Sequence, residues 1–238
     1  MARTPYQIKT DHKQNRLYLT LHGTVSKSDM AHLYTDVRFT VADLDPGFSV
    51  ITDLRACKTG ALTALEPLTK LMGFLIENKV REVIRIVDEG QVISKQAKNL
   101  ESQSQSYSVI YVYSEEEAKQ QLTLLKDREN LRFRLLDHPV CYAIGQIQGQ
   151  GVLVDISVGG CAVNRADSIP TQDSVVRLTI NFQENGELLS VLDCEGLVIR
   201  SDRNEFAIAF QNLDEPTKTA LWTRLVAETR CEIKVGRS

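Results

Sequence analysis

The chain has 238 residues, of which 42% are apolar and 25% charged, the balance of an ordinary globular protein, and its length fits two modest domains. A formal net charge of −3 gives no broad basic face for duplex nucleic acid, although a small anionic ligand needs only a local cluster. No run approaches the roughly 20 apolar residues of a membrane span, and the opening MARTPYQIKTDHKQNR lacks the apolar stretch of a signal peptide, so a cytoplasmic protein is expected. Cys57, Cys141, Cys161, Cys194 and Cys231 are widely spaced and form no Cys-x-x-Cys pair. They are expected to be buried thiols, and no metal site or cofactor is predicted.

Residues 6–10 and 16–23 read as a strand pair, with Leu17, Leu19 and Leu21 at period two. A helix follows, with Ser28 as its expected cap and Met30, Leu33, Val37 and Val41 on its buried face, ending before Asp45-Pro46-Gly47. The run 48–55 predicts a buried strand, and Thr63-x-x-Glu66 a capping box opening the next helix, with Pro67 in its first turn. A strand over 82–87, a polar helix over 91–105, a strand over 108–113 and a helix capped by Ser114 complete an alternating α/β pattern.

From about residue 127 the pattern changes to short strands with frequent turns, the signature of an all-β barrel or sandwich. Strands are predicted over 151–157, 174–182, 188–200 and 205–210, and the Glu-Asn-Gly-Glu run at 184–187 reads as a hairpin turn. Asp214-Glu215-Pro216 opens a last amphipathic helix through Leu221, Trp222, Leu225 and Val226. Two domains follow, 1–126 and 127–238.

Chemistry concentrates at Asp155-Ile156-Ser157-Val158-Gly159-Gly160, preceded by Arg128, Arg132 and Arg134. Asp155 and Ser157 lie two apart on a strand and so share a face. Glycine at position 160 allows a turn with no Cβ. An arginine can grip paired acceptors bidentately or stack on a flat ring, and a carboxylate can accept paired N–H donors. Catalytic readings fit poorly. Ile156-Ser157-Val158-Gly159 lacks the first glycine of a nucleophile elbow and precedes a strand, and Gly145…Gly151 enters a strand where a dinucleotide fingerprint leaves one.

The pair Arg128-x-x-x-Arg132 and Asp155-x-Ser157-x-x-Gly160, with EFAIAF and NLDEP behind it, resembles the PilZ family. That resemblance implies a small barrel, not an enzyme, that binds the bacterial second messenger cyclic diguanylate through Arg128, Arg132, Arg134, Asp155, Ser157 and Gly160. The first barrel strand begins after either Arg132 or Arg134. The second choice places Asn130 where the first arginine belongs. Residues 5–125 resemble the SpoIIAA-like (STAS-like) family through LHGTVSKSDM, PGFSVITDLR and YSEEEAKQQL. Relatives carry a phosphorylatable serine after the third strand, where this chain has KTGALTAL, with Thr59 and Thr63. The expectation is a two-domain α+β signalling receptor whose domain orientation and binding to a protein partner change with nucleotide. The rival reading is a PilZ-type interaction module that binds no nucleotide.

Overall fold

The computed structural model describes residues 5–58, 65–88, 107–125, 130–135, 137–184 and 187–235, and the chain divides into two units, 1–131 and 132–238. In the first unit, β1 (Tyr6–Asp11) and β2 (Arg16–Leu21) form a hairpin in the register Tyr6↔Leu21 to Asp11↔Arg16. The tight turn is possible because Asn15 adopts a positive φ of 51°, a conformation asparagine tolerates. Leu17, Leu19 and Leu21 point into the core, as their period requires.

Helix α1 (Lys27–Val41) is capped by Ser26, not by Ser28. The Ser26 hydroxyl accepts from the Asp29 amide at 3.1 Å, and the Asp29 carboxylate accepts from the Ser26 amide at 2.8 Å. This reciprocal box satisfies two orphan donors, which a cap at Ser28 could not do with Ala31 three residues on. Next come β3 (Ser49–Asp53), α2 (Leu65–Glu77), β4 (Glu82–Ile86), β5 (Ile110–Val112) and α3 (Glu115–Leu124), the last capped by Ser114. The expected cap at Thr63, the neighbouring Thr59 and the expected helix over 91–105 lie outside the described residues.

The sheet runs β1-β2-β3-β4-β5, with only the first pair antiparallel. Ile51, Ile84, Ile86 and Val112 on one face pack with Ala118 and Leu122 of α3. Each such side chain contributes about 1.5–3 kcal/mol when fully buried.

The second unit is a closed antiparallel barrel in the order β10-β11-β8-β7-β6-β9. Its strands are β6 (Pro139–Ile144), β7 (Ile147–Ser157), β8 (Gly160–Asn164), β9 (Val175–Glu184), β10 (Glu187–Ser201) and β11 (Glu205–Gln211). Strands β6 and β8 and the first residues of β7 are additions to the sequence expectation. β6 opens on a proline and buries little besides Val140 and Tyr142, while GCAVN is short and starts with a glycine, so neither stands out as a strand. Gly145, with φ of 59°, turns β6 into β7. At the hairpin expected over 184–187 the ladder begins at Glu184↔Glu187, with Asn185 and Gly186 outside the described residues.

Helix α4 (Glu215–Val235) packs against the barrel. Trp222 meets Phe133 edge to face at 5.5 Å between ring centres, and the Arg224 guanidinium sits 5.9 Å from the centre of the Phe182 ring. Leu221 and Leu225 of this helix are buried, as its stripe predicts. Cys57, Cys161 and Cys194 are buried, whereas Cys141 is exposed on the outer face of β6, contrary to the expectation for it.

Candidate functional site

The segment 131–135 reaches the barrel through one pair of backbone bonds. The Phe133 amide donates to the Ile156 carbonyl at 2.7 Å, and the Ile156 amide donates back at 2.8 Å. Phe133 and Ile156 are both fully buried, so this antiparallel bridge is pinned from the inside by apolar packing. Alternation then turns Arg132 and Arg134 outward, while Leu131, Phe133 and Leu135 are buried. The two arginines therefore flank one fixed residue.

Across the bridge, the Arg132 guanidinium donates to the Asp155 carboxylate, with 22% of each side chain exposed. Among the described residues, this bond occupies one guanidinium nitrogen and one carboxylate oxygen. The other donors of Arg132 and the second oxygen of Asp155 keep their capacity for a ligand. Arg134 is exposed beside them. Arg128 lies outside the described residues, so of the three arginines the structure brings Arg132 to Asp155 and sets Arg134 on the same side of the segment. Neither expected start of the first barrel strand holds: that strand begins at Pro139, and Phe133 makes only an isolated bridge to Ile156 beside which Arg132 meets Asp155.

Ser157 and Gly160 have internal work. Ser157 is 6% exposed; its hydroxyl donates to the Gly160 carbonyl and accepts from the Gly159 amide, both at 3.3 Å, bracing the β7–β8 turn. A Cβ on Gly160 would stand 2.2 Å from the Ile208 carbonyl oxygen and 3.2 Å from the Ala209 Cα. The clearance that this glycine provides is thus toward the backbone of β11, not toward a ligand. Both residues shape the turn that carries Asp155.

The sequence reading missed the row of alanines beside Asp155. In β8 and β11 the buried Cys161, Val163, Phe206 and Ile208 alternate with Ala162, Ala207 and Ala209, in the register Asp155↔Ala162↔Ala207. Ala162 and Ala207 are themselves buried, so they offer no open surface to a ligand. The signal was present in EFAIAF, where alanine recurs at period two, and in the single alanine of GCAVN, and only recognising β8 as a strand makes it legible. Cys161, next to Ala162 in β8, is fully buried, and burial pushes its thiol well above the ordinary range, which makes it a packing group without thiolate reactivity. Among the described residues no group of three or more His, Cys, Asp or Glu side chains could hold a metal ion, and no helix is long and apolar enough to cross a membrane.

The second unit is thus a small closed barrel with an arginine-bearing segment bridged to its Asp-x-Ser-x-x-Gly strand. The PilZ domain family model matches residues 126–228, and the C-terminal half of this chain carries a PilZ domain. Similar solved structures include the PilZ domain of CeSA from a cellulose-synthesizing bacterium, 24% identical, covering 42% of this chain and 97% of that one with a TM-score of 0.33. The PilZ domain of YcgR from Escherichia coli with c-di-GMP is 14% identical, with 47% and 99% coverage and a TM-score of 0.38. The PlzA protein of Borreliella burgdorferi in complex with c-di-GMP is 10% identical, with 52% and 57% coverage and a TM-score of 0.24. No curated protein matches the chain.

Proposed function

We propose that the barrel is a receptor for cyclic diguanylate, not an enzyme, and that nucleotide binding changes the orientation of the two units and their affinity for a protein partner. The observation that carries this reading is the half-used Arg132–Asp155 pair, held over a buried bridge, within a stretch that matches the PilZ family. A PilZ domain is typically a non-catalytic binding module. Guanine supplies what the pair can still take: its O6 and N7 accept from a guanidinium, and its N1–H and N2–H₂ donate to a carboxylate. Arg134, exposed beside Arg132, suits a phosphate or a stacked base, and Arg128 is proposed to join from the preceding segment. Ser157 and Gly160 act by fixing the turn beneath Asp155. The N-terminal α/β unit, whose pattern resembles the SpoIIAA-like family, is proposed to carry the response to the partner.

The test is calorimetric titration of the full chain with cyclic diguanylate, with GMP as comparator. Saturable binding of the cyclic dinucleotide and markedly weaker binding of GMP are expected, since only the former offers two guanines and two phosphates on one ligand. Absence of binding by the parent protein would instead favour an interaction module independent of nucleotide.

A further inference from the structure

The two halves of the Arg132–Asp155 pair are held by different means. Asp155 stands on β7, whose ladder to β8 runs past it in the register Asp155↔Ala162 and Ile156↔Cys161. Arg132 has no ladder among the described residues. Its neighbour Phe133 makes an isolated bridge of two backbone bonds to Ile156. Consecutive Cα atoms are 3.8 Å apart, so a shift of Phe133 carries Arg132 with it. Two such bonds alone do not fix a segment in water, because short strand pairs hold only against a packed apolar face. What packs the Phe133 ring therefore decides where Arg132 points.

That ring is fully buried, and helix α4 supplies it with an aromatic partner. Trp222 meets Phe133 edge to face, with ring centres 5.5 Å apart and planes at 80°, the geometry that the ring quadrupoles favour. Trp222 is held in its turn. The Asp214 carboxylate accepts from the Thr217 amide at 2.9 Å and caps the helix start. Leu221 and Leu225, buried on the same helix, anchor its apolar stripe, and Trp222, partly exposed, lies at the edge of that stripe. A contiguous path thus runs from α4 through the Trp222 and Phe133 rings to the backbone that carries Arg132.

We infer that Trp222 is a positioning residue for the Arg132–Asp155 site, acting through Phe133, and that α4 and the site are coupled. Seating of Trp222 fixes the arginine segment, and a ligand that fixes Arg132 strengthens the seating in return. This coupling rests on the receptor reading only in its effect on affinity, since the bridge can be followed without ligand. Residue-resolved hydrogen exchange of the full chain tests the bridge. In Trp222→Ala the Phe133 and Ile156 amides should exchange at least about tenfold faster relative to the Leu178 and Ile180 amides of β9, a strand paired on both sides. A uniform loss of stability does not raise that ratio. Trp222→Phe, which keeps a ring to meet Phe133, should restore most of the protection. Trp222→Leu, apolar but without a ring, replaces the alanine variant should that one fail to fold. Calorimetric titration with cyclic diguanylate then reads the site. The ring-less variant should bind about threefold to tenfold more weakly than the parent, the worth of an edge-to-face pair, and Trp222→Phe close to the parent. An unchanged exchange ratio, or parental affinity in spite of a loosened bridge, would overturn the proposal. A parent protein that binds no nucleotide would defeat the receptor reading, and the exchange ratio would still decide whether Trp222 holds the bridge.

Discussion

Each unit of this chain contains a partly exposed arginine–aspartate pair near the end of a strand, and the two pairs are built differently. In the first unit Arg55 reaches Asp53 through Nε at 3.0 Å and a terminal nitrogen at 2.7 Å, while its backbone amide donates to the same carboxylate at 3.0 Å. The same terminal nitrogen also meets Glu115, at the start of α3, at 3.2 Å. Burial pushes the Asp53 carboxyl up, but these bonds outweigh it and hold the group below its usual value. Both oxygens are used, and a helix is tied to a strand. In the second unit Arg132 and Asp155 come together from 23 positions apart with one nitrogen and one oxygen engaged. A saturated pair two residues apart is a brace. A half-used pair joined only by folding is the kind that can hold a ligand.

This contrast can be broken or sharpened by substitution. The largest effect is expected for Phe133→Ala, which empties a fully buried site under the bridge to Ile156 and should destabilise the protein by about 3–5 kcal/mol. Denaturant unfolding measures that cost. Nucleotide binding should fail in the same variant even where it is still folded, because Arg132 loses the residue that aims it.

A smaller loss of stability, about 1–2 kcal/mol, is expected for Asp53→Ala, since several charge-assisted bonds go but Arg55 is a third exposed and can turn to water. Asp155→Ala should change the unfolding midpoint less than Asp53→Ala does, as it gives up one such bond. The opposite order would mean that the pair in the barrel is the brace. The acid limb offers a further check. Asp53 has its folded pKa depressed, so its stabilisation is present above the unfolded value, about 3.9, and is lost as pH falls through the folded value. Asp53→Asn should flatten that limb.

The mildest effect concerns the barrel's packing with α4. Burial lowers the pKa of His138, which faces Phe182 with ring centres 5.5 Å apart, although Glu228 opposes the shift. A neutral histidine in the fold that takes up a proton more readily when unfolded costs stability as pH drops below about 6.5, down to the folded value. His138→Gln should remove this dependence from melting curves recorded between neutral and mildly acidic pH. If the slope is unchanged, another group titrates there.

Much of this was legible in the sequence because apolar period reports burial directly. Leu17, Leu19 and Leu21, or Val176, Leu178, Ile180 and Phe182, state both the strand and its inner face. What escaped was structure held by neighbours instead of by its own pattern. β8 is five residues made a strand by β7 and β11, and the row of alanines beside Asp155 became visible only with it. Ser26 and Ser28 compete for one helix start, and the decision falls to the side chain three residues on. In the site, the motif residues were readable by type, but their division of labour was not. Gly160 clears backbone 2.2 Å from its absent Cβ, which depends on a strand nearly fifty positions later.

The central claim is that the open pair is a nucleotide grip and not a brace. Calorimetric titration of the parent protein and of its Arg132→Ala and Asp155→Ala variants with cyclic diguanylate, each first checked for retained cooperative melting, tests it most directly. The parent should bind, and each variant should lose on the order of 1–3 kcal/mol of affinity, the worth of a good bidentate guanine contact. Binding of equal strength by all three proteins, or none by the parent, would contradict the account.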